Sequence, residues 1–186
     1  MNAAAPSPAA RWRPGDARPD IDSMIRVDQA GEYGAVRIYC GQLAVLGTRH
    51  PAARLISRMQ AQEERHLDRF DHMLVERGLR PTLLQPLWHV AGYALGAATA
   101  LMGPKAAMAC TAAVETEIDR HYSEQRRALG EDEPDLGATI ADFQAEELEH
   151  RDTALAAGAE NAFGYPILSG FIRAGCRLAI ELSKRI

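Results

Sequence analysis

The sequence predicts an all-α chain: a four-helix bundle with additional hydrophobic helices. Three observations carry that expectation. Apolar residues recur at helical spacing in several long stretches, while alternating strand patterns are absent and β-branched runs are sparse. Proline tends to open those stretches and glycine to close them. Most telling, Glu-x-x-His occurs twice, as Glu63-x-x-His66 and Glu147-x-x-His150. Each pair trails a glutamate in an apolar helical setting: Glu32 stands 31 residues before Glu63, and Glu115 stands 32 before Glu147. Residues three apart share one face of a helix, about one turn apart. Four such helices facing one another would bring four carboxylates and two imidazoles into one bundle centre. With 14 Glu and 6 His in the chain, random placement gives roughly half a Glu-x-x-His pair. Two pairs, each with a leading glutamate and offset by 83 to 84 residues, form a repeat.

The totals narrow the class. A length of 186 residues suits one domain with a sizeable core. A net charge of −4 and a pI near 5.9 argue against a nucleic-acid binder. Cys40, Cys110 and Cys176 stand far apart with no Cys-x-x-Cys. That spacing offers neither a zinc site nor a disulfide framework, and it suits a reducing compartment.

In chain order, residues 1–21 are rich in Ala, Pro and Arg without apolar periodicity, and read as a disordered arm with no secretory core. The domain occupies 22–186. The first helix starts near Asp22-Ser23, whose side chains suit capping, and stops by Gly47 to Pro51. Its inward line is Ile25, Gln29, Glu32, Val36, Tyr39 and Leu43. Gly31 and Gly34 flank Glu32, and two mid-helix glycines cost about 1 kcal/mol each against alanine. A helix crossing and a close ligand both account for them. Asp28 is either a surface charge or a partner for a ligating histidine.

The second helix runs from Pro51 to Gly78, with Met59, Glu63, His66, Phe70 and Met73 on one face. Residues 81–104 hold no Asp, Glu, Lys or Arg over 24 positions. Three placements fit: a membrane-surface or lipid-docking segment, a buried crossover helix, or a span, which needs about 20 apolar residues. The surface placement is preferred, because Gln85, Pro86, His89 and several glycines interrupt the stretch. Within it, Gly92-x-x-x-Gly96 permits a helix-paired homodimer.

The third helix covers Pro104 to Leu129, with Met108, Thr111, Glu115, Ile118 and Tyr122 inward and Glu117 and Asp119 solvated. The fourth begins near Glu133-Pro134 and ends at Gly158. Ile140, Phe143, Glu147, His150 and Ala154 form its inner stripe, with Glu146 and Glu149 facing solvent. A last apolar helix, Tyr165 to Lys184, carries Arg173 and Arg177. It either lies on an anionic membrane or packs across the bundle.

Four buried carboxylates would protonate or be prohibitively costly without compensation. Two divalent metals supply +4 against −4. Oxygen and imidazole donors without sulfur suit iron or manganese. In such bundles Glu63 and Glu147 would bridge, Glu32 and Glu115 would be terminal, and His66 and His150 would take one metal each. Ferroxidase, peroxide and oxygen-insertion chemistry all remain open on this pattern. No G-x-G-x-x-G loop is present for a nicotinamide nucleotide.

The run Arg26-Val27-Asp28-x-Ala30-Gly31-Glu32-Tyr33-Gly34-Ala35, with Ile38-Tyr39, resembles the first-helix signature of the demethoxyubiquinone hydroxylase family. Glu63-x-x-His66-Leu67, Ala109-Cys110-Thr111, Val114-Glu115, His121-Tyr122 and Glu146-Glu147-Leu148-Glu149-His150 resemble that family's other blocks. The resemblance covers residue 23 onward and fills all six ligand positions. It implies a ferritin-like di-iron monooxygenase that hydroxylates the ring of demethoxyubiquinone (or its quinol) at the penultimate step of ubiquinone biosynthesis. It further implies O2 and NADH as co-reactants and peripheral attachment to an inner membrane. That membrane is the cytoplasmic face in a bacterium, with the mitochondrial matrix side as the alternative, and in eukaryotes the family works with a lipid-binding partner. His121 and Tyr122 become candidate contacts for quinone or reductant.

Overall fold

The computed structural model describes residues 19–185. Among them are six α-helices and one 3-10 turn, and no strand: α1 (Ile21–Leu46), α2 (Pro51–Glu76), α3 (Gln85–Leu101), α4 (Pro104–Leu129), α5 (Pro134–Ala156) and α6 (Tyr165–Ser183). This is the expected all-α, ferritin-like arrangement. The expected arm lies outside the described residues except for its last three. Of these, Asp20 is the true cap of α1, accepting from the Ser23 amide at 3.0 Å, so the helix begins slightly before Asp22.

Proline at the first turn of α2, α4 and α5 supplies a preset φ where no amide partner is required. Short loops then make α1 and α2, and likewise α4 and α5, antiparallel neighbours. The two hairpins face each other and bury a polar layer between two apolar ones. One apolar layer holds Ile25, Phe70, Leu129 and Ile140; the other holds Ile56, Met59, Met108 and Ala154. Each Ile, Leu, Met or Phe among them contributes about 1.5–3 kcal/mol on burial, which offsets the cost of the polar layer between them.

α3 runs alongside α1 in the same direction, and the contact is backbone on backbone. A Cβ at Gly92 would sit 2.9 Å from the Gly34 carbonyl oxygen, and one at Gly96 would collide with the Ile38 carbonyl. The Gly92-x-x-x-Gly96 motif is therefore used inside the chain, against α1. Gly31 sits 3.7 Å from Ile118 by the same measure, and Gly34 has open space beside it. α6 lies over α4, and Trp88 of α3 donates to Ser183 of α6 at 3.1 Å. Together α3 and α6 form an outer layer over α1 and α4.

Only Gly96, Thr99 and Ala100 of α3 are buried, so a buried crossover is excluded. Among the described residues no helix is long and apolar enough to cross a membrane. What remains is an apolar layer with one face outward. Leu87, Val90 and Leu101 of α3 and Ile167, Phe171 and Leu178 of α6 are exposed, Ile167 by 81% and Phe171 by 79%.

Glu117 departs from expectation. It is fully buried, because α6 covers the outer face of α4. Arg173 Nε donates to its Oε1 at 2.6 Å, Arg177 at 2.8 Å, and Arg120 Nε reaches Oε2 at 3.0 Å. Burial raises the Glu117 pKa, but these guanidiniums outweigh it and hold the carboxyl below the usual range. Arg173 and Arg177 thus bind α6 to the bundle, which settles the packing role of this helix.

Candidate metal centre

All six predicted residues converge. Glu32 from α1, Glu63 and His66 from α2, Glu115 from α4, and Glu147 and His150 from α5 are buried in the middle layer. They form two overlapping groups. Glu32, Glu63, His66 and Glu147 offer donor atoms within 4.8 Å of one another, and so do Glu63, Glu115, Glu147 and His150. Glu63 and Glu147 are common to both groups, the places expected for bridging carboxylates.

Each histidine points Nδ1 inward. His66 Nδ1 lies 3.0 Å from Glu147 Oε1 and 3.5 Å from Glu32 Oε2. His150 Nδ1 lies 3.0 Å from Glu63 Oε1 and 3.1 Å from Glu147 Oε2. The inward atoms Glu63 Oε1, Glu147 Oε1 and His66 Nδ1 have no hydrogen-bond partner. Orphaned buried donors and acceptors are rare and costly, and a cation between them would satisfy all three.

The electrostatics agree. Burial, then the neighbouring Glu147, Glu32 and Glu115 charges, push the Glu63 carboxyl far up. Burial and Glu147 do the same to Glu115. Burial opposes the charged form of Glu147 too, yet the close imidazoles of His150 and His66 hold it low. Burial lowers the His66 pKa, but Glu147 and Glu32 raise it overall to about 10. Raised Glu63 and Glu115 carboxyls and a raised His66 are the response of a crowded acidic layer, and divalent cations would displace such protons.

Two tyrosines hold the carboxylates of Glu115 and Glu32. Tyr39 donates to Glu115 Oε1 at 3.0 Å, and the Tyr122 hydroxyl donates to Glu32 Oε1. Tyr122, expected on the inward line of α4, therefore bonds directly to Glu32. Tyr39 stood on the inward line of the first helix, two turns after Glu32, and that spacing was its only signal. His121 lies behind Tyr122, with Nε2 3.3 Å from Asp28 Oδ1, which also accepts from Gln125 at 2.8 Å. Asp28 is thus a buried partner of His121, neither a surface charge nor a partner of a ligand histidine. Burial raises its carboxyl despite the opposing His121 contacts.

The outer edge of the histidines was not legible. His66 Nε2 meets Glu146 Oε2 and His150 Nε2 meets Gln62 Oε1, each at 3.1 Å. Glu146 is only 30% exposed along its side chain and leans over His66, contrary to the solvent-facing expectation. Phe143 stacks on the His66 ring with centroids 3.9 Å apart.

A second feature adjoins the layer. An apolar cavity of about 360 Å³ opens between α1, α3, α4 and α6. Its wall includes Gly31 and Val114, the residues just before Glu32 and Glu115, and on the outer side Trp88, Phe171 and Cys176. Small residues on α1 make this wall thin.

Comparison with known proteins places the arrangement. A family model described as Ubiquinone biosynthesis protein COQ7 matches residues 19–183. A Rhodospirillum rubrum protein named 3-demethoxyubiquinol 3-hydroxylase is 59% identical over 175 residues, covering 93% of this chain and 82% of that protein. The Homo sapiens NADPH-dependent 3-demethoxyubiquinone 3-hydroxylase, mitochondrial, is 51% identical, covering 91% of this chain and 79% of its own. The Saccharomyces cerevisiae 5-demethoxyubiquinone hydroxylase, mitochondrial, is 41% identical, covering 89% and 78%. The chain belongs to the demethoxyubiquinone hydroxylase family of ubiquinone biosynthesis.

Proposed function

We propose that this chain is a di-iron monooxygenase that hydroxylates the ring of demethoxyubiquinone or its quinol, the penultimate step of ubiquinone biosynthesis. The observation that carries the reading is the pair of buried four-residue donor groups sharing Glu63 and Glu147, set directly behind the apolar cavity. Glu32 and His66 would complete one iron position, and Glu115 and His150 the other. Two irons in such a site supply O2 activation, with electrons from a reduced nicotinamide nucleotide. The expectation from the sequence is NADH, whereas the names of the mammalian relatives specify NADPH.

The chain's own residues do the rest. The cavity excludes water and holds a substituted ring beside Glu32 and Glu115. Tyr122 and Tyr39 fix the two terminal carboxylates, and His121 with Asp28 backs Tyr122 as a contact for reductant or quinone. The exposed apolar residues of α3 and α6 flank the cavity and fit a peripheral seat on an inner membrane, where a polyprenyl tail remains in lipid. The same face suits a lipid-binding partner protein. The reading takes the cytoplasmic face of a bacterial inner membrane, with the matrix side of the mitochondrial inner membrane as the alternative; relatives of both kinds match.

The test is turnover by iron-loaded protein given short-chain demethoxyubiquinone, O2 and NADH or NADPH, with product read by mass. A product heavier by one oxygen supports the reading. Iron oxidation or peroxide consumption with no quinone product would replace it with a ferritin- or rubrerythrin-like function.

A further inference from the structure

The two halves of the bundle are related by an internal repeat, and that repeat extends one position beyond the ligands. Gln62 precedes Glu63, and Glu146 precedes Glu147. Each reaches across to the histidine of the other half. Glu146 Oε2 accepts from His66 Nε2 at 3.1 Å, and Gln62 Oε1 accepts from His150 Nε2 at 3.1 Å. The two are also tied together, because Gln62 Nε2 donates to Glu146 Oε2 at 3.0 Å. That bond leaves the Gln62 amide only one useful orientation, with its oxygen toward His150. Arg65 Nη2 donates to the same Glu146 oxygen at 3.0 Å and holds the carboxylate in place.

The hydrogen bonds to the ligand groups otherwise correspond between the halves. Each terminal glutamate receives one tyrosine hydroxyl, from Tyr122 on one side and Tyr39 on the other. Each histidine presents Nδ1 to the centre. Among the groups that hydrogen-bond the histidines the repeat is broken: one imidazole leans on a carboxylate and the other on a neutral amide. An imidazole whose outer N–H is donated to a carboxylate is a stronger electron donor through its other nitrogen, and partners of this kind tune metal affinity and redox potential.

We propose that Glu146 and Gln62 are positioning residues that make the two metal positions unequal. The position served by His66 binds its metal more tightly and favours the oxidised ion, and the one served by His150 is weaker and stays reduced longer. The inference rests on the di-iron reading above and extends it. The chain sets an order of oxidation through a carboxylate and an amide at one repeated position.

The experiment uses full-length protein loaded anaerobically with ferrous iron. Two measurements are made: stepwise iron affinity by chelator competition, and the maximum yield of the one-electron-oxidised pair by EPR during a redox titration. In Glu146→Gln, both histidines lean on amides. Iron affinity at one position should fall on the order of 10–100-fold. The gap between the two oxidation steps should shrink by about 59 mV for each tenfold change in their ratio. The double variant Gln62→Glu with Glu146→Gln exchanges the partners while keeping net charge and hydrogen-bond count. It should restore the wild-type gap and yield, which a merely structural role for Glu146 would not do. If Glu146→Gln does not fold, Gln62→Glu decides: with a carboxylate behind both histidines the gap and yield should fall, and an unchanged gap overturns the inference. Unchanged affinity and gap in a folded Glu146→Gln also overturn it. Wild-type protein that takes up no iron would defeat the di-iron reading itself, a separate outcome.

Discussion

Helix α1 has two working faces, and they are built by opposite means. Toward α2, α4 and α5 it presents Glu32 and, two turns on, Tyr39, large polar side chains aimed at specific partners. Toward α3 and α6 it presents Gly31, Gly34, Ala35 and Gly41, side chains chosen for what they leave out. The first face collects donors. The second makes room, for a neighbouring backbone at Ile38 and for a cavity at Gly31. The contrast separates chemistry from access on one helix. Variants on either face should then damage one property and spare the other.

The largest effect belongs to the polar side. Glu147→Ala removes a carboxylate common to both donor groups. It should lose iron and turnover together, by more than the ~10–100-fold that an outer hydrogen-bond partner costs, with iron per chain and initial rate as the measurements. Retained turnover would break the assignment of the polar face. On the other side, Gly96→Val forces a side chain into the Ile38 carbonyl. The α3 helix should loosen at a cost of about 1–3 kcal/mol, lowering Tm by roughly 2–4 °C per kcal/mol for a chain of this size, while ferrous affinity of the folded protein stays within twofold. A coupled loss of metal would show that the faces are not independent.

Smaller effects sharpen the boundary. Phe171→Glu and Ile167→Glu remove apolar surface that is 79% and 81% exposed. Each should weaken sedimentation with anionic lipid vesicles about tenfold, the equivalent of roughly 1.4 kcal/mol of apolar contact, with iron loading unchanged. Vesicle binding equal to wild type would remove the membrane seat from this face. The mildest is Glu117→Gln. The guanidiniums that hold Glu117 are 41–45% exposed, so they recover water when the charge is lost. The expected cost is about 1–2 kcal/mol, between a surface pair and a buried one. Because the folded carboxyl titrates below its ordinary 4.5, this stabilisation is present above about 4.5 and is lost as pH falls through the lowered value. Thermal melts of wild type and variant should therefore converge on acidification below pH 4.5; a constant difference would place the effect elsewhere than in this charge.

The polar face was legible in the sequence because ligands are constrained in type and in spacing at once. Glu63-x-x-His66 and Glu147-x-x-His150 announce a shared helix face, and the matching offsets of Glu32 and Glu115 announce a common destination. The helix boundaries followed from proline and glycine for the same reason. Other features depend on which helix covers which, and that is a tertiary property. Glu117 sits on the outward side of α4 and reads as solvated until α6 is laid over it. Glu146 and Gln62 sit one position off their helices' inner stripes, and only the facing hairpin turns them inward. The cavity is hardest to read, since small residues on α1 signal a crossing and a pocket equally well, and here they make both.

The sharing of Glu63 and Glu147 between the two donor groups has a consequence for assembly. On the proposed assignment, each hairpin brings three donors to one ion and a single donor to the other. Neither hairpin completes a position alone, so each ion would act as a bolt through the seam between halves that are separated along the chain by the whole of α3. Bound ions stabilise the fold in proportion to the logarithm of their free concentration over Kd. In a cell short of iron the seam would then lose this stabilisation, and the protein's lifetime against proteolysis would fall together with its turnover.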